Sequence, residues 1–290
     1  MQLYKATIKL ESSLVTPLKG DTIWGHVVWG IANHEGDEAV ARFLEEAKSP
    51  EPAFVISSAF PQGTICKPYP KHTPRGKMSS KKYAEIKKNK KIKFVSAGDY
   101  VHGISEKVDS SFEKIHVMHN AINRLSNTVE DGSLFAVQEM WASQAYFDLY
   151  ILSRYEEKRT AQLLQWAFEH GYGADSSTGK GVISVVAVSR AETKLSTSKY
   201  VALAPFVTNL ADIKQDTLRA DIFIRTGKIG GAFATNMNPH KKTVVMFDEG
   251  AVFETTKPIQ FIGTLITNVH SDTRICQSGF APVLPIGDDV

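Results

Sequence analysis

Between a stretch of helical periodicity and a stretch of β-branched residues lies Gly171-Tyr-Gly-Ala-Asp-Ser-Ser-Thr-Gly-Lys-Gly181, which holds four glycines. Such a segment neither continues a helix nor makes a good strand. It must be a connection whose backbone adopts conformations, or approaches neighbours, that a Cβ would forbid. On its N-terminal side, Tyr155 to His170 puts Leu163, Leu164, Ala167 and Phe168 on one helix face, with Gly171 at the C-terminal stop. On its C-terminal side, Val182 to Val188 reads as a strand. A nucleotide-binding P-loop needs strand, then G-x-x-x-x-G-K-[ST], then helix. Here the order is inverted, five residues separate Gly173 from Gly179, and Lys180 is followed by Gly181 where a hydroxyl should ligate magnesium. Nucleoside-triphosphate chemistry at this loop is excluded. What remains is either a close-approach loop for a phosphate backbone, offering amides, Ser176, Ser177, Thr178 and Lys180, or a long αβ turn with no ligand.

Charge is distributed unevenly. The chain carries +3 overall, yet Lys67 to Phe94 holds ten lysines and one arginine against the single acid Glu85, so the remainder is net acidic. A concentrated basic stretch in an acidic protein suits phosphate-backbone binding, although a solvated charge run has the same composition. Cys66 and Cys276 stand far apart with no Cys/His ligand spacing, which indicates neither a disulfide framework nor a zinc site. No apolar run approaches a membrane-spanning length, and the first ten residues alternate like a strand and unlike a signal peptide, so a cytoplasmic location is expected.

In order along the chain, Leu3 to Leu10 alternates with Tyr4, Ala6, Ile8 and Leu10 inward. Asp21 opens a helix whose Trp24, Val27, Val28 and Ile31 share a stripe, with Gly25 and Gly30 allowing close packing; Asp37 to Ala47 forms a second helical segment. Ala53 to Phe60 is a strand. Five prolines and glycines then open an insertion in which Ser79 to Lys90 suits a lysine-rich helix but is expected to be mobile, and Ile92 to Val95 a short strand. Ile115 to Leu125, a turn-rich Ser126 to Ser133, and Leu134 to Trp141 suit a hairpin standing off the body. Gln144 to Leu152 alternates Ala145, Phe147, Leu149 and Ile151 against Tyr146, Asp148 and Tyr150. The sum is βαββαβ, the ferredoxin-like or RRM-like plan. Residues from about 199 onward are strand-like throughout, at Tyr200 to Val207, Leu218 to Ile224, Thr243 to Phe247, Ala251 to Phe253, Phe261 to Ile266 and Phe280 to Ile286, with no convincing helix.

The glycine loop after the second helix of such a domain, with an elaborate insertion after its second strand, resembles the RAMP superfamily of CRISPR-associated RNA-binding proteins. Lys19-Gly-Asp-Thr-Ile-Trp-Gly25, Ser57-Ser-Ala-Phe-Pro61 followed by Lys67-Pro-Tyr-Pro-Lys71, His119-Asn-Ala-Ile-Asn-Arg124 leading to Gly132-Ser-Leu-Phe135, and Lys242 to Gly250 are similar, in order and spacing, to the family of fourth Csm subunits of type III-A effector complexes. The resemblance spans nearly the whole chain. It implies an α+β protein of two RRM-like RAMP lobes: residues 1–190, with a basic insertion and thumb over 61–143 and the glycine-rich loop over 171–181, and a β-rich, degenerate second lobe over 199–290. The thumb would run from Ile122 to Trp141. The implied role is non-catalytic and needs no cofactor or metal. The subunit caps one end of the complex, holds the 5′ tag of the CRISPR RNA, docks the large polymerase-like subunit and the adjacent backbone subunit, and meets target RNA only indirectly. Two departures stand out: Asp175 occupies a position where the family usually carries a basic residue, and the second lobe has lost its helices.

The expected RNA contacts are Gly171, Gly173, Ser176, Ser177, Thr178, Gly179, Lys180 and Gly181 in the loop; His119, Asn120, Asn123 and Arg124 at the thumb base; and Lys19, Lys67, Lys71 and Arg75 as cations. Lys77, Lys81 and Lys82 extend the basic rail, and Tyr69, Tyr83 and Tyr100 are exposed-type aromatics able to stack on bases. Asp175 should turn away from phosphate or cap a turn. Trp24 and Trp166 read as core. Two other classes stay open. One is a metal-independent endoribonuclease using His26, His34 or His119, with His26 expected exposed beside Trp29. The other is a purely structural subunit whose glycine loop packs on a partner.

Overall fold

The computed structural model describes residues 1–70, 79–97, 107–108, 112–192, 197–230, 233 and 238–287. In chain order the first strands and helices are β1 (Gln2–Leu10), α1 (Gly20–Glu35), α2 (Asp37–Lys48), β2 (Phe54–Ile56), β3 (Phe60–Pro61), β4 (Thr64–Cys66), α3 (Ser80–Lys90), β5 (Phe94–Ser96) and β6 (Lys107–Val108). A long hairpin follows as β7 (Phe112–His119), β8 (Ile122–Asn123), β9 (Thr128–Val129) and β10 (Phe135–Ala142), and then β11 (Tyr146–Ser153), α4 (Glu157–Phe168) and β12 (Ile183–Arg190). The remainder is β13 (Lys199–Ala202), β14 (Ile222–Arg225), β15 (Val244–Phe247), β16 (Val252–Glu254), β17 (Phe261–Ile266) and β18 (Gln277–Pro285). The architecture is mixed and strand-rich, with several sheets.

The central sheet is ordered β12-β1-β11-β2, all antiparallel, with β3 also on β11. Period-two patterning sets its register: Tyr4, Ala6 and Ile8 lie opposite Ile151, Leu149 and Phe147, and all six are buried under α1 and α4. The two helices cross closely because Gly30 has no side chain; a Cβ there would lie 2.8 Å from the Cβ of Trp166. The same contact leaves Trp166 half-buried at the edge of the core, stacked on His34 at 4.3 Å, and not inside the core as its type suggests.

A second sheet, ordered β16-β13-β18-β17, has no α-helix of its own among the described residues. It packs on the first through Leu265 and Phe280, which join the first core, and through Tyr150, which packs with Val201, Leu203 and Val252. As a result β11 is buried on both faces. Of the alternating polar set, Asp148 and Tyr150 both lie inside, and Asp148 is satisfied by Lys5 Nζ at 2.8 Å, Thr7 Oγ1 at 2.9 Å and the Gly63 amide at 2.7 Å. Charged groups also tie the start of α1 to the separate β14–β15 pair. Arg225 grips the buried Asp21 of α1 through two bonds of 2.6 and 2.7 Å, and Lys19 reaches Asp248 at 2.8 Å and Glu249 at 2.7 Å.

Ser80–Lys90 forms the lysine-rich helix the sequence suggests, joined to the body by the β4–β5 pairing and by Lys67, whose backbone amide donates to the Lys93 carbonyl and whose Nζ donates to the Asn89 carbonyl. One expectation is corrected here. The thumb begins a full strand earlier than Ile122: β7 pairs with β10 from Phe112↔Ala142 out to His119↔Phe135, with β8 and β9 forming the tip.

Candidate nucleic-acid interface

Antiparallel order places three segments at one edge of the central sheet. The C-terminal end of β1 meets the start of β11 (Leu10 amide to Ala145 carbonyl, 2.7 Å) and the start of β12 (Glu11 amide to Val182 carbonyl, 2.9 Å). A step further, Leu14 bridges Met140 in both directions at 2.7 and 2.9 Å, so the thumb root sits on the β1–α1 connection. The glycine loop, the thumb and that connection therefore form one continuous surface, assembled from residues far apart in sequence.

The glycine loop is wound tightly on itself. Gly171, Gly173, Asp175, Gly179 and Gly181 all have positive φ, and the neck closes where the Tyr172 amide donates to the Gly181 carbonyl at 2.8 Å. A Cβ on Gly181 would lie 2.0 Å from the Tyr172 carbonyl oxygen, so only glycine fits that side of the neck. Tyr172 is fully buried and donates its hydroxyl to the Pro17 carbonyl at 2.7 Å. The amides of Gly173, Ala174 and Gly181 are taken by His26 Nε2, Thr16 Oγ1 and the Ser13 carbonyl, while those of Thr178, Gly179 and Lys180 are taken within the loop. The loop's backbone donors thus serve mainly its own shape. Its outward chemistry lies in the hydroxyls of Ser176 and Ser177, which have no partner among the described residues; Thr178 Oγ1 is turned onto the Asp175 carbonyl at 2.9 Å. Asp175 shapes the turn through its left-handed backbone and its carbonyl, which accepts the Thr178 and Lys180 amides, with no capping bond from its side chain.

Lys180, expected as a phosphate contact, is 2.5 Å from the carboxylate of Glu139 on β10, which is buried and also accepts from Ser13 Oγ at 2.7 Å. Those two hydrogen bonds hold the Glu139 carboxyl below the ordinary range. The lysine is a clasp between loop and thumb root. Lys19 is likewise neutralised by Asp248 and Glu249, and Lys67 is engaged at Asn89. Lys19 and Lys180 are thus paired with carboxylates inside the protein, while Lys67 donates to a backbone carbonyl. Lys71 and Arg75 lie outside the described residues. Glu139 was missed in the sequence; its one signal was a carboxylate between Gln138 and Met140-Trp141 on a strand otherwise apolar along its inner face.

The thumb residues are displaced from the predicted base. His119, Asn120, Asn123 and Arg124 lie at the outer end of the hairpin, while the base is formed by Phe112 and the Glu139–Ala142 segment. Asn123 Oδ1 accepts the Leu125 amide at 2.9 Å and so shapes the tip; Arg124 and Asn120 are exposed; His119 stacks on Phe135 at 5.7 Å. Met118, Ile122, Leu125, Leu134 and Phe135 are exposed around them, and the tip also carries the exposed acids Glu130 and Asp131 beside the single guanidinium.

His26, expected exposed, lies against Tyr172 at 4.9 Å, accepts the Gly173 amide at 3.2 Å, and is driven down to a pKa of about 4 by burial, against an opposing bond to the Ala167 carbonyl. It is neutral and serves as a loop anchor. His34, in the last turn of α1, is held 2.5 Å from Glu169 at the end of α4 and stacks on Trp166. Beside the loop, an open groove of about 520 Å³ runs between the end of α4 and β12, with Phe168, Val182 and Val185 as apolar lining and Gln165, Glu169 and Ser176 as polar lining.

No protein-family model matches the sequence, and no curated protein matches it. Solved structures do. A chain of the Csm1–Csm4 cassette in complex with pppApA superposes with a TM-score of 0.59 at 12% identity, over 99% of this chain and 98% of that one. A chain of the same cassette in complex with cA4 gives 0.60 at 12% identity over 98% of each. A chain of the Csm3–Csm4 subcomplex in the type III-A CRISPR-Cas interference complex gives 0.56 at 13% identity, over 99% of this chain and 100% of that one. Csm4 is the component common to these assemblies. The fold is the Csm4 fold. At such identity the Csm4 fold is kept by patterning and packing, since few individual side chains are shared. No described helix is long and apolar enough to cross a membrane.

Proposed function

We propose that this chain is a Csm4-type subunit of a type III-A CRISPR effector complex. It holds the 5′ repeat-derived tag of the CRISPR RNA, with no catalytic residue of its own, and it docks the large polymerase-like subunit and the adjacent backbone subunit. The observation that carries this reading is the full-length match to the Csm4 fold in structures of both a Csm1–Csm4 and a Csm3–Csm4 assembly. In this reading residues 1–190 are an RRM-like lobe and 199–290 a second one that has shed its helices.

Its mechanism is positioning. The RNA passes along the shared edge, meeting Ser176 and Ser177 on the wound loop and Arg124, Asn123 and Asn120 on the thumb, contacts that fix register without reading sequence. The groove beside Ser176 accommodates one unstacked base against Val182 and Val185. Because the loop's amides, Lys180 and Lys19 are committed internally, affinity rests on shape, hydroxyls and the thumb more than on lysine charge from this edge.

The test is to tag the chain in its native cell, purify under gentle salt and sequence the 5′ ends of the co-purifying RNA. One short common 5′ sequence followed by varied spacers is expected. Return of the chain without RNA overturns the reading in favour of a purely structural subunit, and cleavage of labelled repeat RNA in EDTA by the purified chain overturns the non-catalytic part.

A further inference from the structure

The helix α3 concentrates exposed lysines on one face. Around the sheet and loop, Lys5, Lys9, Lys19 and Lys180 are each paired with a carboxylate. On and just after α3, Lys81, Lys87, Lys88 and Lys91 are exposed and have no carboxylate partner among the described residues. At 3.6 residues per turn, Lys81, Tyr83, Lys87, Lys88 and Lys91 fall within one half of the circumference. Half-buried Ile86 and the exposed Asn89, whose carbonyl takes Lys67 Nζ at 2.6 Å, lie on the other half, toward the body. Tyr83 is 66% exposed at the edge of the lysine arc.

We propose that this Tyr83-lysine face binds the backbone of a single-stranded nucleic acid separate from the guide's 5′ end. Unpaired lysines along one face repel one another, and a polyanion that releases its counterions on binding relieves that repulsion. An exposed phenol beside them adds a π-face for a base, the combination that sequence-tolerant single-strand binders use. The same face offers no apolar patch for an acidic protein beyond Ala84. The helix is tethered at its C-terminal end through Lys67 and β5, so the face has a fixed footing on the body. The inference goes beyond the guide-holding reading and stands without it.

The probe is a labelled oligouridine of about 16 nucleotides that carries no repeat sequence, titrated against the purified full chain over a range of salt, with the matching DNA oligomer and polyglutamate in parallel. In the Lys81/Lys87/Lys88/Lys91→Gln variant, the slope of log affinity against log salt should flatten by about 2 to 3, at roughly 0.7 per lost phosphate contact on a single strand. The corresponding fourfold Arg variant should keep the slope. Tyr83→Ala should weaken binding about tenfold with the slope unchanged. Equal loss of RNA and DNA binding supports a backbone site, and loss of RNA alone supports one that also uses the 2′-hydroxyl. A slope unchanged in the Gln variant, or polyglutamate bound more tightly than oligouridine and lost in that variant, overturns the proposal. The 5′ ends of co-purified guide RNA should be the same in all these variants, so failure here is separable from failure of the guide-holding reading.

Discussion

Gly181 and Glu139 show how single residues decide this interface. Gly181 sits at a positive φ with the Tyr172 carbonyl where its Cβ would be, so Gly181→Ala both strains the backbone and opens the neck. Backbone strain of this kind costs about 1–3 kcal/mol, and urea denaturation should show at least that loss. Glu139 is buried and depends on Lys180 and Ser13. Lys180→Met, which strands the carboxylate, should destabilise by about 1–3 kcal/mol, and the double variant Lys180→Met/Glu139→Leu should recover part of it in a double-mutant cycle. A larger loss of stability in the double variant than in the single one would refute the clasp. His26 and Glu139 make loop anchoring acid-sensitive in the same direction. The His26 pKa is depressed from 6.5 to about 4, so its contribution is complete above about 6.5 and is lost as pH falls toward 4, where the unfolded chain takes the proton first. The Glu139 pKa is lowered as well, and its contribution, present above 4.5, declines as pH falls further. Hydrogen exchange of the Gly173 amide should therefore accelerate between pH 6.5 and 4 relative to amides in β1, and in His26→Asn the step near His26 should vanish.

At the scale of elements, the α1–α4 crossing carries the loop. Gly30 sets the separation, and α4 delivers Gly171 to the edge of the sheet. Gly30→Val should force the helices apart at a cost of about 1–3 kcal/mol, the usual penalty for overpacking. It should also loosen His26 from the loop, visible as altered exchange at Gly173. The helical stripe of α1 and the alternation of β1 were legible because one face of each is buried against a single neighbour. The exposure of His26 was not, because the surface opposite that stripe is covered by a loop roughly 150 residues away in sequence. The thumb was legible as a hairpin, yet its root was misplaced. β7 runs Phe-Glu-Lys-Ile-His-Val-Met-His, with exposed positions on both faces, so no buried side marked where it starts.

At the scale of the whole molecule, the two sheets are one mechanical unit. Asp21 is buried and held by Arg225 from the separate β14–β15 pair and by Gln277 Nε2 of the second sheet at 2.9 Å. Arg225→Met should cost about 3–5 kcal/mol, because it leaves a carboxylate inside without its cation. Unfolding should nevertheless remain a single transition, since Phe280 and Leu265 share the first core. Two separate transitions in calorimetry would contradict that unity. Since the stretch from the β1–α1 connection into α1 carries Ser13 and Thr16 under the glycine loop, Lys19 beside Asp248 and Glu249, and Asp21 against Gln277 of the second sheet, a change at one is transmitted to the other through a few residues of chain.

The sequence by itself determined the element order of the first sheet, its inward faces, the glycine loop between α4 and β12, and the presence of six strand-like segments after residue 199. All of these follow from local period and from the backbone freedom of glycine. Only the tertiary structure decided that β11 is buried on both faces, that Lys19 and Lys180 are clasped to carboxylates, that His26 is a neutral anchor, and that Tyr83 stands beside lysines with no carboxylate partner among the described residues. Each of those facts depends on which distant carboxylate, carbonyl or sheet comes to rest beside the residue, and a one-dimensional pattern carries no record of that neighbour.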